Sequence, residues 1–333
     1  MLTESGSPDL AIDVHPSVEV ENLQVAAIRS LQANRMDPKA LYVTSHQASL
    51  WRDVFFKHSP LHGNPEFTRI YRDAFASALD RFPAEKCLLV GLGCGTGAKE
   101  LELYGKLRAC KRDAIFAAID VSSDLVLESA QKLIRAGAAH ERSLVCDLTE
   151  SAFLREWLGS MESELPRLIT FFGLVPNFAP SEVVRLIQAV LRPGDVMLIN
   201  AHLAPVQDGG RNEPASAMQR VLPQYDNPET LAWLAAGLEQ WGLEQRLESP
   251  GMVIGEVEGI PAFLGQARWK SGEAFKQWGH SFSPAIEQPF RIFTSLRYTP
   301  KLFENLLRSA GFEVKLLAIT ACREEAIWSV RRL

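Results

Sequence analysis

Apolar residues recur along this chain in two patterns, one typical of helices and one typical of buried strands. Helical spacing marks three segments near the start, at 20–31, 41–56 and 67–82. From residue 87 onward, short continuous apolar runs alternate with further helical segments. A strand buried on both faces has such a continuous run, and strand–helix alternation is typical of a mostly parallel, doubly wound sheet. The pattern therefore predicts an α/β fold preceded by a helical region.

The alternation predicts a sheet of seven strands, at 87–92, 114–119, 143–146, 168–173, 196–200, 313–319 and 325–330. The first five are separated by helical segments and are expected to be parallel. The last two follow a helix at 299–309 and Gly311, and they are expected to form a hairpin. The fold class is therefore a doubly wound, mostly parallel sheet whose last strand is antiparallel.

Residues 204–290 interrupt this alternation, and so long a segment is not a structureless loop in a compact domain. The chain is therefore divided into a helical N-terminal region or lid at 1–84, a core at 85–203 and 299–333, and an inserted substrate-binding subdomain at 204–298. Residues 1–20 lack periodicity and are expected to be a loose or partner-dependent tail. The N-terminal helices either cover the site or form an outer layer.

Aromatic residues are frequent in the insertion, where they either line a substrate cavity or form the subdomain's own core. They are Trp233, Trp241, Phe263, Trp269, Phe275 and Trp278.

The composition indicates a soluble globular protein. The chain has 333 residues, of which 47% are hydrophobic, and a net charge of -5. This mild acidity gives no reason to expect a nucleic-acid partner, and no apolar run has the length of about 18 residues that a membrane span needs. The five cysteines show no C-x-x-C spacing, which is typical of reduced thiols in a cytoplasmic protein.

A glycine-rich turn follows the first predicted strand, in Gly93-Cys94-Gly95-Thr96-Gly97, and a helix begins after it. Glycines allow the backbone to approach a ligand closely, and a helix start presents free N–H groups. The spacing differs from the dinucleotide-binding G-x-G-x-x-G, which disfavours an NAD(P)-dependent oxidoreductase. Asp120 ends the second strand, where it can accept hydrogens from a ribose, and Asp147 ends the third, where it can accept from an adenine amine. Either aspartate is alternatively a helix cap or a turn former.

This combination resembles the class I S-adenosylmethionine-dependent methyltransferases, whose Rossmann-like sheet has seven strands. The resemblance implies S-adenosylmethionine as cofactor, with S-adenosylhomocysteine as product, and no metal. It also implies cofactor contacts from Gly93, Cys94, Gly95, Gly97, Asp120, Val121, Asp147, Leu148, Phe172 and Gly173. One position departs from the family: Gly91 stands where the first strand usually has an acid that holds the methionine end of the cofactor.

A narrower resemblance is to the histidine-specific N-methyltransferases of ergothioneine biosynthesis, through Phe172-Gly-Leu-Val-Pro-Asn177 and the segment at 291–298. It implies that Asn177 faces the substrate amino group and that Ser295 contacts the substrate. Phe293 stands where that family has a glutamate, which disfavours histidine as the substrate. Tyr71 is the stand-in for a missing tyrosine-rich motif.

The expected reaction is methyl transfer to a small molecule, at an amine or amino-acid-like nitrogen. Asn177 is predicted to orient the nucleophile, His202 to act as a base near neutral pH, and Arg291 and Arg297 to bind a substrate carboxylate. Each has a structural alternative. An O-methyltransferase of a small natural product and a non-catalytic cofactor-binding scaffold stay open, as does a homodimer.

Overall fold

The computed structural model describes residues 10–161, 164–204 and 214–333. The helices are α1 Val20–Gln32, α2 Ser45–His58, α3 Pro60–Gly63, α4 Pro65–Leu79, α5 Ala98–Ala109, α6 Ser123–Arg135, α7 Ser151–Gly159, α8 Pro180–Val190, α9 Pro214–Val221, α10 Pro228–Gln240 and α11 Pro300–Ser309. The strands are β1 Ile12–Val14, β2 Lys86–Leu92, β3 Asp113–Asp120, β4 Ala139–His140, β5 Ser143–Val145, β6 Arg167–Phe171, β7 Val196–His202, β8 Gly251–Val257, β9 Ile260–Ala267, β10 Phe275–Gln277, β11 His280–Phe282, β12 Phe290–Leu296, β13 Phe312–Ile319 and β14 Glu325–Arg332.

A central sheet organises the chain, with its strands in the order β1-β5-β3-β2-β6-β7-β14-β13 and the short β4 beside β3. The strands from β1 to β7 pair in parallel, whereas β14 pairs antiparallel with both β7 and β13. All seven predicted strands belong to this sheet. The α/β fold class and the antiparallel last strand are therefore confirmed.

Side chains of β2 alternate between two hydrophobic clusters, one on each face of the sheet. Leu88, Val90 and Leu92 belong to the first cluster, and Cys87 and Leu89 to the second. Helices cover both faces, because parallel strands are joined by crossover helices. The continuous apolar run in the sequence follows from this double burial.

The prediction of a loose tail over residues 1–20 is wrong for residues 10–20, and its first part lies outside the described residues. Here β1 extends the sheet by pairing with β5, and the His15 amide donates to the carbonyl of Val145 at 2.9 Å. A short 3₁₀ turn and α1 follow. Three residues at a sheet edge are too few for an apolar period, so the sequence pattern does not indicate this strand.

The insertion contains α9, α10, the three-stranded antiparallel sheet β12-β9-β8 and the hairpin β10-β11. Its aromatic residues pack into a core that is shared with the N-terminal region: Trp233 and Phe263 lie in one cluster with Leu31 and Leu41. The Trp233 indole donates to the Leu41 carbonyl at 2.9 Å. The first part of the N-terminal region therefore packs on the insertion, whereas α4 packs on the central sheet. The proposed boundaries between the three regions stay predictions.

Across the described segments, no helix combines the length and the apolar character that membrane crossing requires.

Candidate functional site

The strand order reverses at β2, because the chain proceeds from β2 to β3 and β5 on one side and then to β6 and β7 on the other. Ligands of open α/β sheets bind beyond the carboxyl ends of the strands at such a point. A cavity of about 650 Å³ lies there. Its wall is formed by the glycine turn, the ends of β3, β5, β6 and β7, helix α2, and residues of the insertion.

The glycine turn forms one side of this cavity. Gly93, Gly95 and Gly97 all have positive φ, at 61°, 50° and 68°, a conformation that L side chains rarely adopt. A Cβ atom at Gly95 would lie 3.0 Å from the ring of Trp51, which lines the cavity from α2. Gly97 does not line the cavity; it packs against Ser129 of α6 and is the N-cap residue of α5. Glycine at positions 95 and 97 therefore allows the turn to pack closely against Trp51 on one side and Ser129 on the other.

Asp120 points into the cavity from the end of β3, next to Val121. Its carboxylate accepts hydrogen bonds from the amides of Gly95 at 3.1 Å and Ser122 at 3.0 Å, which fix its orientation. The side chain is buried, and burial raises the pKa of this carboxyl group. A carboxylate has about four acceptor positions, so two bonded amides leave capacity for the hydroxyl groups of a ribose.

Asp147 lies at the cavity beyond β5, together with Leu148, but it is already paired. Lys39 Nζ lies 2.5 Å from its Oδ2 atom, and the Thr149 amide donates to Oδ1 at 2.8 Å. Lys39 also lies 3.6 Å from Asp37. The carboxylate predicted to accept from an adenine amine is therefore already paired with a lysine that belongs to no sequence motif.

Tyr71 does not line the cavity, although it was predicted to contact the substrate. It is buried, its hydroxyl donates to Glu325, and it accepts from Asn200 Nδ2 at 2.9 Å. Asn200 also donates to Glu325 at 2.6 Å and accepts from the amide of Gly173 at 2.7 Å. Asn200, Glu325 and Gly173 do line the cavity. Tyr71 therefore positions these groups from behind the wall.

Tyr225 is the centre of a second hydrogen-bond network in the cavity wall. Its hydroxyl lies 3.3 Å from His202 Nδ1 and 3.3 Å from Ser295 Oγ, and it accepts from Arg297 Nη2 at 2.6 Å. All four residues line the cavity. His202, Ser295 and Arg297 could be predicted from the sequence, whereas Tyr225, which lies after a short 3₁₀ turn, belongs to no motif.

Arg297 is the most deeply buried arginine of the cavity wall, with 3% of its surface exposed. Within the described part of the chain, no carboxylate forms an ion pair with it, and its Nε atom has no hydrogen-bond partner. Its guanidinium carbon lies 4.7 Å from the Phe263 ring centre. Arg291 also lines the cavity, but it pairs through its backbone with the N-terminal region at Arg35.

Asn177, Phe172 and Phe293 complete the cavity wall. Asn177 ends the 3₁₀ turn Val175–Asn177, which follows β6 and Phe172. Phe293 packs edge-on against Trp233, with the ring centres 5.6 Å apart. The predicted residues Phe172, Asn177, His202, Arg291 and Ser295 are thus brought to one cavity.

His202 is neutral near physiological pH, because burial, Arg297 and Lys99 all lower its pKa well below the ordinary value of 6.5. The unfolded chain, with a histidine pKa near 6.5, then binds the proton more readily than the folded chain does. Folding stability contributed by His202 is therefore complete above about pH 7.5, begins to be lost as the pH falls below 6.5, and continues to be lost until the pH reaches the lower pKa of the folded state.

We expect His202→Gln to remove this loss. Between pH 8 and pH 5.5, the free energy of unfolding of the wild type should fall by up to about 1 kcal/mol more than that of the variant. Urea denaturation at both pH values measures it. His280→Gln, at an exposed position of β11, is the control. Equal pH dependence of wild type and His202→Gln would contradict the expectation.

The family described as histidine-specific, SAM-dependent methyltransferases matches residues 68–209, a stretch shorter than half of the chain. The carboxy-S-adenosyl-L-methionine synthase of Trichodesmium erythraeum is 33% identical over 134 residues, which are 39% of this chain. The chain spans about half of that relative's length, 49%.

Two solved structures illustrate the structural similarities. An S-adenosylmethionine-dependent methyltransferase from Clostridium acetobutylicum is 13% identical, with 85% of this chain and 97% of that chain covered and a TM-score of 0.45. An amino pentose methyltransferase from Micromonospora echinaspora is also 13% identical, with 79% and 92% covered and a TM-score of 0.36.

The matched segment contains the glycine turn, Asp120, Asp147 and Asn177. These are the residues on which the sequence-based resemblance depends, and the match confirms that resemblance and its S-adenosylmethionine cofactor. Residues 68–209 are therefore similar to the family of histidine-specific, S-adenosylmethionine-dependent methyltransferases.

Proposed function

We propose that this protein transfers the methyl group of S-adenosylmethionine to a nitrogen atom of a small, amino-acid-like acceptor that carries a carboxylate. The family match supports the cofactor. The acceptor class is inferred from the cavity beyond the glycine turn. The small-molecule acceptor, the cytoplasmic location and the homodimer belong to this proposal as predictions.

The cofactor fits the part of the cavity beside the glycine turn and the end of β3. Asp120 would bind its ribose, because the Gly95 and Ser122 amides hold the carboxylate with acceptor capacity left toward the cavity. The glycine turn allows close approach there. When bound, the cofactor supplies a methyl group that its sulfonium makes electrophilic. The protein has to align the acceptor nitrogen with that methyl group and exclude water.

The part of the cavity between the ends of β6 and β7 and the insertion suits the acceptor. Asn177 would orient the nitrogen from the turn after β6, where it lies beyond Phe172. Neutral His202, hydrogen-bonded to Tyr225, would accept a hydrogen bond from the acceptor nitrogen. Because the pKa of His202 is lowered well below 6.5, the methylated nitrogen would keep its proton as an ammonium group until the product leaves. Aromatic walls from Trp233 and Phe293 would exclude water from the reacting atoms.

The unpaired guanidinium of Arg297 is the observation that carries the acceptor class. A buried charge is costly unless it is paired. Arg297 is 3% exposed, it lines the cavity, and its only polar side-chain contact within the described residues is Tyr225. A carboxylate on the acceptor would supply the missing opposite charge in bidentate geometry.

The test compares each amino acid with the amine that lacks its carboxylate. Examples of such pairs are tryptophan with tryptamine and phenylalanine with phenethylamine. We expect mass spectrometry to show methylation at nitrogen for at least one amino acid and weaker reaction of its decarboxylated partner. Arg297→Met should raise KM for that amino acid about 10- to 30-fold, while Arg297→Lys should retain more activity.

Arg246→Met is the matched control, because Arg246 also stacks on an aromatic ring, Phe275 at 4.2 Å, but lies outside the cavity wall. Equal reaction of acids and decarboxylated amines would reject the Arg297 assignment. Methylation at oxygen would reject the nitrogen acceptor and indicate an O-methyltransferase. Failure to bind S-adenosylmethionine or S-adenosylhomocysteine in a folded sample would reject the proposed function itself.

A further inference from the structure

Glu100 is a buried acid in the first turn of α5, and it has 4% of its surface exposed. Its carboxylate lines the cavity, and its Oε1 atom accepts a hydrogen bond from Thr170 Oγ1 at 2.7 Å. No ion pair to Glu100 occurs among the residues that the structure describes. Burial raises the pKa of this carboxyl group. A carboxylate in this state is expected to gain much from a cation in the cavity.

The Glu100 side chain fills the space above Gly91 on β2. A Cβ atom built at Gly91 would lie 3.3 Å from Glu100 Cγ and 3.0 Å from Cys94 Cβ. A side chain at position 91 and the observed Glu100 conformation therefore compete for one volume. An acid can reach this part of the cavity from the strand or from the helix, and in this chain it comes from the helix.

We propose that Glu100 binds the ammonium group at the methionine end of S-adenosylmethionine. The proposal rests on the proposed function, because the cofactor supplies the cation. The position of Glu100 fits this role: it lies beyond the glycine turn, one residue from Lys99, and both side chains line the cavity. Asp120 at the end of β3 and Glu100 on α5 would then bind the ribose and the amino acid part of one ligand.

The test uses two probes that differ at the methionine end. S-Adenosylhomocysteine contains the amino acid group, and 5′-methylthioadenosine lacks it. By calorimetry, Glu100→Gln should bind S-adenosylhomocysteine at least tenfold more weakly than the wild type and bind 5′-methylthioadenosine with unchanged affinity. Gln retains the acceptor for Thr170, so the fold is expected to persist. Glu102→Gln, on the same helix but outside the cavity wall, is the control.

A relocation variant gives a second readout. Glu100→Ala removes the contact of Glu100 Cγ with an added Cβ at Gly91, whereas Cys94 Cβ, at 3.0 Å, still has to shift by a few tenths of an ångström. The double variant Gly91→Glu and Glu100→Ala should therefore recover part of the affinity for S-adenosylhomocysteine that Glu100→Ala loses. Wild-type affinity of Glu100→Gln for S-adenosylhomocysteine would overturn the proposal, as would equal weakening of both probes in a folded variant. Failure of the wild type to bind either probe would instead count against the proposed function.

Discussion

Asp120→Ala is expected to weaken the binding of S-adenosylmethionine and S-adenosylhomocysteine at least 100-fold. The carboxylate can form two charge-assisted hydrogen bonds to the ribose, each worth about 1.5–3 kcal/mol. Even the lower value gives about 3 kcal/mol, which corresponds to a factor above 100 in the dissociation constant. Isothermal titration calorimetry of wild type and variant under identical buffer conditions measures this loss.

Asp113→Ala is the control for this substitution, because Asp113 lies at the other end of the same strand, away from the cavity. It should bind the cofactor like the wild type. Thermal denaturation shows whether Asp120→Ala folds, since it leaves the Gly95 and Ser122 amides without their acceptor. A folded Asp120→Ala protein within threefold of the wild-type affinity would exclude Asp120 from the cofactor site.

Gly97→Ala is expected to lower the free energy of unfolding by about 3 kcal/mol. Gly97 has a φ of 68°, and a non-glycine residue in that region costs about 1 kcal/mol or more. The added Cβ would also meet Ser129 Oγ and lie 3.0 Å from Ser129 Cα, which is fully buried in α6. Such overpacking typically costs 1–3 kcal/mol. Chemical denaturation followed by circular dichroism measures the difference.

Gly194→Ala separates the two contributions. Gly194 also has a positive φ, 89°, but a Cβ there meets no atom within 4 Å. This variant should therefore lose only the backbone contribution, about 1 kcal/mol. Equal losses for the two variants would mean that the contact between the glycine turn and α6 adds nothing to stability.

The central sheet could be predicted from the sequence because each of its core strands is indicated by residues within that strand and directly beside it. Each strand from β2 onward that belongs to the seven-stranded core has its own apolar run, and the breaker at Arg192-Pro-Gly-Asp195 ends a helix where the structure ends α8. The glycine turn and Asp120 follow from their place after a strand. Conversely, the three-residue β1 has no period to detect.

The site was less predictable where its partners are distant in sequence. Lys39 pairs with Asp147 across 108 residues, and Arg297 donates to Tyr225 across 72 residues. Neither Lys39 nor Tyr225 belongs to a motif. Glu100 illustrates a further difficulty: the sequence shows a missing acid at Gly91, but only the path of the backbone shows that a helical residue fills the same space.

The shared core of the N-terminal helices and the insertion has a consequence for the order of folding during synthesis. The hydrogen bond from Trp233 to the Leu41 carbonyl closes a loop of 192 residues. Contacts of such high sequence separation form late, because the chain between them loses much conformational entropy before they are made. During synthesis, the apolar faces of α1 and α2 therefore remain exposed until the insertion has left the ribosome. These helices are consequently the segment on which we expect a chaperone to act.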